Sequence, residues 1–149
     1  MTPSERALRA VRALVQFDLA QSGAQVAEAM ALTARAQHEV TTATRRCEVA
    51  ASGLRDVGTR SPINPPLLDA MHHVFRSERR TLNDFRSQLA AATEAEERAR
   101  TALADLRNRE RSLDRALQAE RQQRLLKQVA LDTSRADDMW LQHGWRGVS

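Results

Sequence analysis

The sequence predicts an all-α protein, a long antiparallel two-helix coiled-coil hairpin whose second helix overhangs the first. Three observations predict it. Apolar residues recur at alternating steps of three and four over about seven heptads from Leu68 to Leu117, more than the three or four heptads that mark a coiled coil. The first third of the chain carries a second stripe of the same rhythm, with smaller side chains. Between them lies the one proline-rich break, Gly58 to Pro66. A narrow apolar stripe cannot be hidden by its own helix, so each stripe needs the other.

The first helix is expected over about residues 3–57. Thr2 is placed to cap it, Pro3 suits the first helical position, and Glu5 stands where a capping box needs a carboxylate. Its stripe runs Val15, Leu19, Ser22, Val26, Ala29, Thr33, Ala36, Val40, Ala43, Cys47, Ala50, Leu54, Val57. Gly23 and Gly53 each cost about 1 kcal/mol relative to alanine, and each fits either a close helix approach or a gentle bend.

A turn is expected over 58–64. Gly58 fits a left-handed stop, and Ser61-Pro62 and Asn64-Pro65 demand extended backbone before each proline. Asn64 then caps the second helix, with Pro65 at its first position. That helix is expected over about 65–142, roughly 115 Å at about 1.5 Å per residue. Its stripe runs Leu68, Met71, Phe75, Glu78, Leu82, Phe85, Leu89, Ala92, Glu96, Ala99, Leu103, Leu106, Glu110, Leu113, Leu117.

Folding at the break sets Leu54 against Leu68, Cys47 against Phe75, Val40 against Leu82 and Thr33 against Leu89. Large side chains then meet small ones. The same register puts Met1 near residue 121, so about twenty residues of the second helix have no partner. It also puts Glu110 near Arg12, and leaves Glu78 and Glu96 without a cation on the other helix. Gly144 and Gly147 are expected to end the helix, leaving a flexible tail, 143–149, that carries Trp145.

Composition agrees with long helices. Aromatics make up 3% of the chain, and it holds 5 Gly and 4 Pro. The net charge is +4 and Lys127 is the only lysine. Acidic and basic residues interleave, as on a solvated helical face, whereas nucleic-acid binding calls for same-sign clusters with stacking aromatics. The lone Cys47 rules out an intrachain disulfide and reads as a small buried hydrophobe in a reducing compartment. No run is long and apolar enough for a bilayer span, and the first residues are broken by Arg6, Arg9 and Arg12 where a signal peptide needs an apolar core. A cytoplasmic chain without direct membrane insertion is expected.

No catalytic constellation is visible. Phosphate loop, nucleophile elbow and zinc spacing are all missing. His72 and His73 point about 100° apart on a helix, and His38 and His143 stand alone. Glu78, Glu96 and Glu110 read as polar register-setters. Neither an enzyme nor a metal or cofactor site is expected.

Two regions exceed a generic coiled coil. The unpaired end bears Leu125, Leu126, Val129, Leu131, Met139 and Trp140, interleaved with Arg121, Arg124, Lys127 and Arg135; Leu8, Arg9 and Arg12 sit near its base. The other is the turn region, with Leu67, Leu68, His72, Phe75 and Arg79. The first reads as a docking surface for a partner protein, with self-association of the tail as the alternative; the second reads as simple hairpin closure or as a second docking site.

A capped basic start, a helix of about fifty-five residues, a proline-containing turn and a longer Arg/Gln/Leu-rich helix together resemble the FliJ/YscO (SctO) family of type III secretion. The local likeness rests on Ile63-Asn64 leading into Leu67-Leu68-Asp69-Ala70-Met71, and on Gln128 to Gln142 with Asp137-Asp138-Met139-Trp140. The resemblance implies an antiparallel hairpin similar to the central stalk of rotary ATP synthases. Its terminal end enters a hexameric secretion ATPase and its other region meets the export gate protein of the inner membrane. Some members bind export chaperones. On this chain the ATPase contacts implied are Leu8, Arg9, Arg12, Arg124, Lys127, Arg135, Met139 and Trp140. The gate contacts implied are Leu68, His72, Phe75 and Arg79, although the chain lacks the tyrosine that some members place there. A monomer peripheral to the inner membrane through the secretion apparatus is expected. The rival classes are a dimeric coiled-coil scaffold and an export chaperone without ATPase coupling.

Overall fold

The structure, a computed structural model, describes residues 1–146, with side chains over 1–144. It is all-helical. Helix α1 spans Pro3–Thr59 and helix α2 spans Pro65–Arg146, and the two pack against each other as a helical hairpin.

Both helix starts form as the sequence requires. The Glu5 amide donates to Thr2 Oγ1 at 3.1 Å and the Arg6 amide to the Thr2 carbonyl. The Leu67 amide donates to Asn64 Oδ1 at 3.4 Å and the Leu68 amide to the Asn64 carbonyl. Each cap satisfies amides that would otherwise lack partners in the first turn.

Three expectations at the helix ends are corrected. Gly58 does not stop α1; it has no left-handed φ, and the helix continues through it to Thr59. Nor does Gly144 stop α2, which runs past Gln142 to Arg146. A helical glycine costs about 1 kcal/mol, and that cost alone does not end a helix. Of the tail expected over 143–149, residues 147–149 and the Trp145 side chain lie outside the described residues. Glu5, finally, turns its carboxylate to arginines and does not complete a capping box.

The chain divides into two compact units, and each holds part of both helices. In the unit formed by Ala20–Ala104, every stripe position named from the sequence is buried or half-buried. Ala43, Ser22, Leu82, Ala50 and Ala36 are the most enclosed. The register differs from the expected one. The Thr33 hydroxyl donates to the Ala29 carbonyl and reaches the Ala92 carbonyl, three residues beyond Leu89. Gly53 lies against Met71, where a Cβ would come within 2.6 Å of the methionine methyl. Gly53 is thus the close approach that the sequence left open, whereas Gly23 has no neighbour within 4 Å of a Cβ.

In the unit formed by Met1–Leu19 and Asp105–Ser149, Val15 and Leu117 are buried, and Leu106, Glu110 and Leu113 half-buried. Arg12 pairs with Asp114, not with Glu110, and Ser4 meets Glu120. About two residues of this slide of two to four along α2 follow from the turn. Because α1 runs on to Thr59, the reversal is confined to residues 60–64, nearer α2 than a break starting at Gly58 implies.

Candidate functional site

The features most able to engage another molecule gather where α1 begins. The seam of α1 does not stop at Val15. Stepped back by threes and fours it passes Arg12 and Leu8, both half-buried, to Glu5, which is only 1% exposed. A carboxylate so enclosed needs cationic partners. Arg124 Nη1 lies 2.9 Å from Glu5 Oε2, Arg9 Nη2 3.4 Å from Oε1, and Arg121 Nε 3.8 Å from Oε1. Three guanidiniums, each about half exposed, therefore share one carboxylate. A second bridge joins Arg12 Nε to Asp114 Oδ1 at 2.6 Å, and Ser4 Oγ donates to Glu120 Oε1 at 3.1 Å. Together these contacts form a polar clasp.

Past the clasp the seam ends. Every side chain from residue 121 to 144 is exposed. The large apolar ones are Leu125, Leu126, Val129, Leu131, Met139, Trp140 and Leu141, with Trp140 74% exposed. On a helix of 3.6 residues per turn, Leu125, Leu126, Val129, Ala136, Met139 and Trp140 share one face. That face is turned roughly a third of a turn from Leu113 and Leu117. The direction continuing the seam instead carries Arg124, Lys127, Leu131 and Arg135. The arm is therefore not built as further seam for α1, and its apolar face looks elsewhere.

All eight residues that the resemblance assigns to the ATPase lie in this unit. Arg9, Arg12 and Arg124 are engaged in the clasp, which leaves each with exposed donors; Leu8 is half-buried. Lys127, Arg135, Met139 and Trp140 stand exposed on the arm. The four gate residues lie in the other unit. Leu68 and Phe75 are half-buried seam residues, whereas His72 and Arg79 are exposed and one heptad apart on a single face.

Sequence reasoning missed the role of Glu5, which continuing the three–four step back from Val15 would have found. It also missed an outer face of α1, on the side away from the seam, where Leu14 and Phe17 are exposed beside Ala7 and Ala10 and Val11 lies at its edge. In the other unit Glu96 was expected to lack a cation from α1. The cation comes from its own helix: Arg100 lies 2.8 Å away, four residues on. The nearby Thr33 hydroxyl, then Arg100, holds the Glu96 carboxyl below its ordinary value.

Among the described residues, no three of His, Cys, Asp and Glu converge to hold a metal ion. Among them, no helix is long and apolar enough to cross a membrane. No protein-family model matches the chain, and no match is found among curated proteins or solved structures.

Proposed function

We propose that this chain is a non-enzymatic stalk protein of a bacterial type III secretion system, cytoplasmic and peripheral to the inner membrane, that binds the hexameric export ATPase and links it to the export gate. The observation that carries the reading is the arm. A helix held at its base by Glu5, Arg9, Arg121 and Arg124 continues through residue 144 with every side chain exposed, among them Met139 and Trp140. Such a helix has no fold of its own to complete, and large exposed apolar side chains on one face mark a protein contact.

A helical stalk inside a ring touches its subunits unequally and so biases their conformations. The exposed guanidiniums at the base suit carboxylates lining such a ring, because arginine offers a planar fork of donors. His72 and Arg79 supply the polar part of a gate contact, and the resemblance to the FliJ/YscO family supports both assignments.

The test is co-sedimentation of the chain with a hexameric secretion ATPase. Binding is expected, and the full-length double substitution Met139→Ser/Trp140→Ser should weaken it at least roughly tenfold. Equal binding by the variant removes the arm from the contact. Binding that survives without any effect on hydrolysis leaves an adaptor or export chaperone.

A further inference from the structure

The outer face of α1 is patterned for a second copy of itself. At the three–four spacing Pro3, Ala7, Ala10, Leu14, Phe17 and Gln21 form a stripe on the side away from the seam. Val11 and Ala13 flank it. Leu14 is 66% and Phe17 62% exposed, and nothing among the described residues covers them. We propose that two chains associate back to back through this stripe, α1 against α1 of the second copy, antiparallel about a two-fold axis near residue 12.

The stripe is its own complement in that register and in no parallel one. Ala7 of one copy then meets Phe17 of the other, and Ala10 meets Leu14, so each large side chain fills the space above a small one. On the flanks Val11 meets Val11 and Ala13 meets Ala13. In a parallel pair Phe17 would crowd Phe17 while Ala7 faced Ala7 across a gap. Charge agrees with the antiparallel choice. Asp18 falls beside Ser4 in the first turn of the other copy's α1, at the positive end of its helix dipole. Among the described residues Asp18 has no ion-pair partner within the chain, and no like charges are set against each other. The arm lacks this property. Its own two-fold, between Asp132 and Thr133, would bring the two Asp132 side chains together.

The contact spans only about five helical layers, less than permanent dimers use, so the association is reversible and concentration-dependent. Its test does not involve any ATPase.

The experiment is sedimentation equilibrium of the full-length chain from about 1 to 200 μM, a span that brackets micromolar affinity. The expected result is a monomer–dimer equilibrium whose dissociation constant rises at least roughly tenfold in Leu14→Glu, with helicity unchanged by circular dichroism. Cysteine pairs then fix the geometry. In a Cys47→Ser background, Val11→Cys should form a disulfide-linked dimer when the two thiols are oxidised with diamide. Ala7→Cys alone should not, whereas Ala7→Cys mixed with Phe17→Cys should. A chain that stays monomeric throughout, a dimer indifferent to Leu14→Glu, or self-linking by Ala7→Cys each overturns the proposal.

Discussion

The Arg124 guanidinium donates a 2.9 Å hydrogen bond to the Glu5 carboxylate across 119 positions of sequence, and thereby fixes where the paired part of α2 ends. Glu5 is fully enclosed and its arginines are about half exposed. Removing the carboxylate strands three cations that water can partly rescue. Glu5→Gln should therefore cost about 1–2 kcal/mol, short of the 3–5 kcal/mol seen when a closed buried pair is broken. Arg124→Met, which leaves Arg9 and Arg121 in place, should cost less. Urea unfolding of both variants and the double substitution measures the coupling.

Glu96 predicts an acid-sensitive element in the other unit. Its folded carboxyl is held below the ordinary value of 4.5, first by Thr33 and then by Arg100. A depressed folded value means that the unfolded chain takes up the proton first. The stabilisation is thus present above about pH 4.5 and is lost as pH falls through the folded value. Thr33→Val should flatten this acid limb, which melting temperature against pH will show. An unchanged slope would mean that the Thr33 hydroxyl does not act on Glu96.

The two helical glycines of α1 should respond differently to alanine. At Gly23 a Cβ meets nothing within 4 Å, so Gly23→Ala should gain up to about 1 kcal/mol through helix propensity. At Gly53 the same Cβ comes within 2.6 Å of the Met71 methyl, which must swing aside. Gly53→Ala should come out near zero or below. Thermal melts of the two variants compare them directly.

The seam is close-packed at its alanines. Ala43 is 2% exposed, and Ala43→Leu should overpack the pair by about 1–3 kcal/mol. Leu82→Ala should cost about 2–4 kcal/mol by opening a cavity. Denaturant midpoints will rank them.

The seam was legible in the sequence because burial follows the three–four step directly. From Val15 to Val57 and from Leu68 to Leu117 every named stripe position is buried or half-buried. Both caps were legible because Thr2-Pro3 and Asn64-Pro65 leave little choice of backbone. Register was harder. It depends on where α1 stops, and Gly58 is a stop signal whose energetic weight is too small to prevail over another turn of helix. The arginine partners of Glu5 were hidden for the same reason, since a slide of two to four residues decides which cation meets which carboxylate. The arm was visible as surplus length, and the shifted phase of Leu125 to Trp140 against Leu113 and Leu117 was legible from the helical period alone.

The stalk role is tested most directly by ATP hydrolysis by a hexameric secretion ATPase, titrated with the full-length chain and with the Met139→Ser/Trp140→Ser variant. The chain alone should hydrolyse nothing, it should raise the rate of the ATPase, and the variant should raise it much less at equal concentration. An unchanged rate at concentrations where the full-length chain is bound would contradict that role.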